Sequence, residues 1–493
     1  MGAFVTDSFP RLDLKRIEFR VLPMRTRFPF KYGIASLTAL PHLVLNVEAE
    51  IDGARAEGIA SEGLPPKWFT KNPDTTFEQD LPAMLEVIGH AAELALSAPP
   101  SSFFELWFKI NEAQSAWASE TGHPPLLANL GVSLVERALL DALCRHLGSG
   151  LHAVLRENQL GLRLGEVRPE LSGTDPVSFL PERPLSSIRA RHTIGLGDPL
   201  TAVDVTDENK AEDNLPLDLE SCIRTYGLTH FKIKVCGNLE IDLPRLEALS
   251  ELLGPEALFT LDGNEQYSSI NAFREHWEAW REKEKIRVLL DTGLLLIEQP
   301  AHRDESFASS VSSEFAAWPD RPAFIIDEAD GAIDSLPQAL ALGYDGVSHK
   351  NCKGMVKGLA NAATLAEGGR NRERAVHLSG EDLANVGPIA LFQDLAMMAA
   401  LGIEHVERNG HHYFKGLSAW PESVQASMLE NHDDLYRAHP EGYPTLGIKD
   451  GMLELSSLNA APFGPSELLD VSALERVDPT DSEGFIRSGM PTG

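Results

Sequence analysis

Between residue 218 and residue 410 the chain alternates amphipathic helical stretches with short apolar runs, and run after run ends on a polar residue. Taking Lys234, Asp262, Glu298, Asp327, Lys350, Ser379 and Glu407 as strand ends, successive ends are 23 to 36 residues apart, the length of one β/α unit. The widest interval accommodates extra residues around "REKEKIRVLLDTG". After "HFKIKV" (230–235), Leu246, Leu249 and Leu253 keep helical spacing, Gly254-Pro255 stops the helix, and "LFTLD" follows as a strand. Ile270, Phe273, Trp277 and Trp280 line one face of the next helix, ahead of "LLLIEQP". With "RARHTIGL" as an earlier strand, the count reaches eight. Eight such units in a row predict an α/β fold, a (β/α)8 TIM-type barrel.

In that architecture chemistry comes from the C-terminal ends of the strands. Here five successive strands end in Lys, Asp, Glu, Asp and Lys. Any one of these alone reads as a solvated loop residue; five in order do not. Lys232 and Lys234 are two apart, so both leave the same face of their strand. Asp262, Glu298 and Asp327, from three adjacent strands, can converge on one point. A hard, all-oxygen ligand set suits Mg²⁺ rather than zinc, and without a cation the like charges repel. Lysines on either side are placed as bases, and a neighbouring ammonium and a divalent cation are expected to push their pKa down.

The stretches "KIK" (232–234), "LDGNEQY" (261–267), "IEQP" (297–300), "IIDEAD" (325–330) and "KNCKG" (350–354), in this order, resemble the enolase superfamily. The similar branch is that of muconate lactonizing enzymes and dipeptide epimerases. The resemblance implies Lys234 and Lys350 as opposed acid/bases and Lys232 as an assistant at the substrate carboxylate. It implies Asp262, Glu298 and Asp327 as ligands of one Mg²⁺, with Asn264 and Glu328 close behind. The shared chemistry is removal of the proton α to a carboxylate, giving an enediolate. Racemisation or epimerisation by 1,1-proton transfer is the first expectation, and a lyase or cycloisomerase (acid-sugar dehydratase or muconate lactonizing type) the second. A metal-binding barrel without turnover is the alternative of another class. Ser379 and Glu381 mark the seventh strand end, expected to meet the variable part of a small-molecule carboxylate substrate. Neither "HLSGEDLANVG" nor "ERNGHHYFKG" carries a substrate signature.

The resemblance extends to the flanks. Residues 1–130 are expected to form an N-terminal α+β capping domain, 131–420 the barrel, and 421–493 a segment completing the cap, with "GIKDGMLEL" as the returning stretch. "FPFKYGIA" and "EGLPPKWF" are expected to be loops over the substrate, with Phe30, Tyr32 and Trp68 shaping the pocket or packing beneath it. Extra material lies near "RLGEVRPELSGTDPVSFLPERP", near "TDENKAEDNLPLD" and at the C-terminus. Gly354-Met355 stands where relatives often carry two glycines. A histidine-based branch of the superfamily pairs a strand-seven histidine with a strand-six aspartate. His377 lies in this strand seven, but Lys350 holds the aspartate position, so His377 is expected to be a packed strand residue. His349 is expected to face the outer helices, His411 and His412 an exposed loop, and Lys353 and Lys357 solvent, with Lys353 near the rim.

A net charge of −30 leaves no basic footprint for nucleic acid. Four scattered cysteines without a C-x-x-C indicate neither a disulfide framework nor a zinc knuckle. No apolar run is long enough to span a bilayer and no leader pattern opens the chain, so a cytoplasmic location is expected. By analogy with the family, the chain is expected to form a homo-oligomer.

Overall fold

The computed structural model describes residues 9–370 and 372–490. The cap opens with β1 (Leu12–Leu22), β2 (Arg25–Tyr32), β3 (Ala35–Ala39), β4 (His42–Ile51) and β5 (Ala54–Gly63). β1, β4 and β5 pair antiparallel, while β2 and β3 form a separate ribbon with Phe30 opposite Leu37 and Tyr32 opposite Ala35. Of helices Phe77–Ser97, Phe103–Thr121 and Pro125–Leu147, the first and third pack on the sheet and the second on those two. Thr76 with Gln79 and Ser102 with Glu105 form capping boxes that satisfy the orphan amides starting the first two. At Gly131 a Cβ would stand 2.1 Å from the Val87 carbonyl oxygen, so only glycine allows these helices their close approach. The boundary drawn at residue 130 lies inside helix Pro125–Leu147.

Eight parallel strands follow: β6 (Ser187–Ile194), β7 (His230–Lys234), β8 (Leu258–Asp262), β9 (Leu294–Glu298), β10 (Phe324–Ile326), β11 (Gly346–His349), β12 (His377–Gly380) and β13 (His405–Arg408). Each pairs with the next and β13 pairs with β6, so the barrel closes as the periodicity predicts. Phe231 and Ile233 are buried on one side of β7, while Lys232 and Lys234 face the axis.

The C-terminal segment departs from expectation. The "GIKDGMLEL" stretch does not return to the cap; its strand Met452–Glu454 pairs antiparallel with the first residues of β6. β7 joins β6 only from Arg191 onward, leaving an open edge at Ser187–Arg189 that this strand fills. The cap is reached further along, where Glu475–Val477 pairs with β1.

The stretch near "TDENKAEDNLPLD" straps the β2–β3 ribbon to the barrel. Arg27 donates to both Asp213 oxygens at 2.6 and 2.8 Å, and to the carbonyls of Leu215 and His412. Both partners of this ion pair are buried. Among the described residues no cysteine is in a disulfide and no helix is long and apolar enough to cross a membrane.

Candidate active site

Lys234, Asp262 and Glu298 occupy the aligned last positions of β7, β8 and β9, and Asp327 and Lys350 stand one residue past β10 and β11. The five form an arc of buried side chains around the barrel mouth. Lys234 Nζ lies 2.5 Å from Asp262, and Lys350 Nζ 2.5 Å from Asp327 and 3.9 Å from Glu298. Lys232, one layer deeper, spans the axis, with Nζ 3.0 Å from Asp262, 2.8 Å from Glu298, 2.7 Å from Glu381 and 3.1 Å from Glu407.

Two further lysines are buried nearby, against expectation. Lys353 and Lys357 are not solvated: Lys353 Nζ lies 2.9 Å from Asp327, and Lys357 Nζ 2.9 Å from Asp330. The turn Asn351–Lys353 folds Lys353 back so that its ammonium also donates to the Ser348 carbonyl and hydroxyl.

Burial disfavours every charge in the cluster, and the balance of neighbours decides each sign. Burial and the nearby Asp262 and Glu381 hold the Glu298 carboxyl well above its ordinary range. For Asp327 burial is outweighed by Lys350, Lys353 and Lys232, which hold it well below; Lys232 and Lys234 likewise lower Asp262. Burial acts against the Lys350 charge, but Asp327 and Glu298 win, and Lys232 is held up by four carboxylates in the same way.

The donor set fits a hard divalent cation. Asp262, Glu298 and Asp327 offer only oxygen, and Asn264 Oδ1 and Glu328 Oε2 beside them are buried without accepting a hydrogen bond. Asn264 steadies both neighbours, its amide N–H donating to Asp262 at 2.8 Å and its side chain to Glu328 at 3.2 Å. Burial, then Asp327 and Glu265, raise Glu328 to about 7. Asn264, Glu265 and Gln299 have φ of 39°, 65° and 36°, a left-handed backbone that side chains rarely adopt. At Gly263 a Cβ would stand 2.6 Å from Pro300 Cα, so the strand ends could not sit this close with a larger residue. Gln299 Oε1 accepts from the amides of Asp327 and Ala329, fixing the turn that carries Asp327.

Above the arc lies a narrow pocket. Lys232, Lys234, Asp262, Asn264, Asp327 and Lys350 line its floor, and Phe30, Tyr32, Leu37, Pro65, Trp68 and Leu383 its walls. Both expected cap loops therefore meet the site, and Trp68 shapes the pocket directly. Glu265 holds the second loop down: Lys71 Nζ lies 2.9 Å from it, and Arg303 pairs with it at 2.8 Å while donating to the carbonyls of Trp68 and Phe69.

Ser379 and Glu381 do not line this pocket. Ser379 donates to Glu381, which is held by Arg191 and Lys232 in the barrel floor. Asp382, Leu383 and Ala384, just beyond β12, take the position expected for them. Glu328 sits one step aside, with Tyr32, Trp68 and Lys71 around a smaller cavity. His377 begins β12, at the opposite end from the mouth, and His349 packs outward against Gly358, as expected. His412 is not in an exposed loop; the helical turn Gly410–Tyr413 buries it. Glu407 and Arg191 were not singled out from sequence as site residues, yet Thr193 and Lys232 bind Glu407 and Arg191 binds Glu381.

No family model and no curated protein matches the chain. Solved structures do. The muconate lactonizing enzyme from Mucobacterium Smegmatis complexed with muconolactone is similar at 18% identity and a TM-score of 0.57, over 94% of this chain and 100% of that one. This chain has the fold of the muconate lactonizing and dipeptide epimerase branch of the enolase superfamily. The 2-chloromuconate cycloisomerase from Rhodococcus opacus 1CP shares the fold at 14% identity and a TM-score of 0.59, over 97% and 100% of the two chains. The dipeptide epimerase from Enterococcus faecalis V583, complexed with Mg and L-Leu-L-Tyr, shares it at 16% identity and 0.56, over 82% and 92%.

Proposed function

We propose that the protein is a Mg²⁺-dependent enzyme of the enolase superfamily that moves the proton α to a carboxylate, as a racemase or epimerase. The observation that carries this is angular: Lys234 and Lys350 stand four strands apart in a closed ring of eight, on opposite sides of the mouth, with the three carboxylates on the strands between. Asp262, Glu298 and Asp327 would hold the cation, whose charge acidifies the α-proton of a carboxylate bound there. Lys234 takes the proton from one face and Lys350 returns one to the other. Lys232, buried beneath and paired with four carboxylates, keeps its proton and offers positive charge to the substrate carboxylate. A cation on Asp262 and Asp327 offsets the negative charge now paired with Lys234 and Lys350, freeing a lysine to act as the neutral base.

The substrate suited to this pocket is a small carboxylate with an apolar substituent, since Phe30, Leu37, Pro65, Trp68 and Leu383 form its walls. Cycloisomerisation or elimination in the same pocket is the second reading, because it needs only one of the two lysines. A barrel that binds metal without turnover is the third. Incubation with Mg²⁺ in D2O and a panel of N-acyl amino acids, dipeptides and sugar acids, followed by NMR, separates the three. Stereochemical scrambling with α-deuteration is expected, most strongly for apolar side chains. Loss of a leaving group would favour the lyase reading, and no exchange anywhere in the panel would favour the binder.

A further inference from the structure

On the outer side of the barrel wall a second cluster of metal-ligating side chains meets, with chemistry opposite to that of the mouth. Arg191 and Thr193 of β6 face the axis, so His192 between them faces outward. There it meets Cys222, from helix Leu219–Tyr226, and His412, from the turn after β13. One donor atom from each of the three lies within 4.8 Å of the others, and all three residues are at most 2% exposed.

We propose that His192, Cys222 and His412 form a structural site for a borderline-soft divalent cation, zinc in the first instance, with His411 hydrogen-bonded to His192 beside it. Cys222 Sγ lies 3.5 Å from His412 Nδ1, and His192 Nδ1 lies 3.0 Å from His411 Nε2. Around tetrahedral zinc a sulfur-to-nitrogen edge is about 3.6 Å, so the Cys222–His412 pair stands at ligand spacing. The far nitrogen of His412 faces a carboxylate, its Nε2 being 4.0 Å from Asp198 Oδ2. Asp198 is fixed by the Gly195 amide and the Tyr413 hydroxyl, and its other oxygen is buried without a hydrogen bond. At 4.0 Å Asp198 does not accept a hydrogen bond from His412, but it stands on the side from which a carboxylate backs a ligating histidine. His411 Nδ1 is likewise buried without a partner.

The position gives the ion a purpose. β6 and β13 are the seam where the barrel closes, and Arg27 of the cap ribbon donates to the His412 carbonyl. An ion here joins the seam, the helix after β6 and the ribbon over the pocket. Binding exchanges the Cys222 thiol proton for the metal: the S–H bond breaks, the proton goes to solvent, and the thiolate pair forms the new bond. The site is independent of the reaction at the mouth.

Full-length protein stripped with chelator and returned to excess Mg²⁺, to saturate the oxygen cluster, is titrated with Co²⁺. One equivalent should produce a thiolate-to-Co²⁺ charge-transfer band, removed by an equivalent of Zn²⁺ and absent in Cys222→Ser. Zn²⁺ should also raise the thermal midpoint of the unsubstituted protein. Should Cys222→Ser fail to fold, the band of the unsubstituted protein and its displacement by Zn²⁺ decide. No thiolate band at stoichiometric Co²⁺, or a band unchanged in folded Cys222→Ser, would overturn the proposal and leave the cluster as hydrogen-bonded side chains.

Discussion

The ammonium of Lys350 lies 4.8 Å from the centre of the Trp68 ring, so a residue of the cap touches a lysine of the barrel. Cation–π contact favours the charged lysine and fixes where its nitrogen stands. Trp68 is itself held by Arg303, which donates to its carbonyl and pairs with Glu265. Trp68→Ala is expected to lower kcat/KM by about 3- to 30-fold, the worth of one such contact, with Trp68→Phe retaining most activity. Steady-state kinetics on the best substrate of the panel check this; equal activity in Trp68→Ala would detach the cap from the chemistry.

Arg27 and Asp213 are buried and bonded at both oxygens, and Arg27 holds Asp213 below its ordinary pKa against the effect of burial. Removing one partner strands the other, so Arg27→Met is expected to cost about 3–5 kcal/mol in urea unfolding. Adding Asp213→Asn should recover part of that loss. Limited proteolysis should show new cleavage near residues 205–216 in the single variant only.

Glu136 receives the amides of Met355 and Val356 at the start of helix Met355–Gly369, yet burial pushes its carboxyl up to about 7 from 4.5. With a raised folded pKa, the unfolded chain releases this proton first. The group's contribution is therefore intact below 4.5 and is lost as pH rises toward 7. Glu136→Gln, whatever its stability at low pH, should lose less than the unsubstituted protein between about pH 5 and about pH 8. Urea midpoints at the two pH values measure the difference; parallel losses would mean that Glu136 is ionised throughout.

The barrel was legible because its signal is local. Helical spacing, Gly-Pro stops and apolar runs recur at one interval, and Lys234, Asp262 and Glu298 fall at strand ends by that count alone. What stayed hidden depends on contacts between distant parts of the chain. Arg191 reads as a strand residue, and only closure of the barrel sets it against Glu381, 190 residues away. Lys353 reads as solvated because nothing local reveals that the turn after β11 folds it back onto Asp327. The Met452–Glu454 strand was assigned to the cap because an open edge on β6 is a property of the assembled sheet. That Lys232 is ringed by four carboxylates is likewise visible only in the folded site.

The central claim is that Lys234 and Lys350 work on opposite faces of one substrate carbon. Each single variant, Lys234→Ala and Lys350→Ala, is incubated with Mg²⁺ in D2O and each enantiomer of a substrate, and α-deuteration is followed by NMR. Each variant should exchange the α-proton of one enantiomer only, the two variants choosing opposite ones, with the double variant inert. Exchange that persists in the double variant, or the same enantiomer exchanged by both single variants, would contradict the assignment.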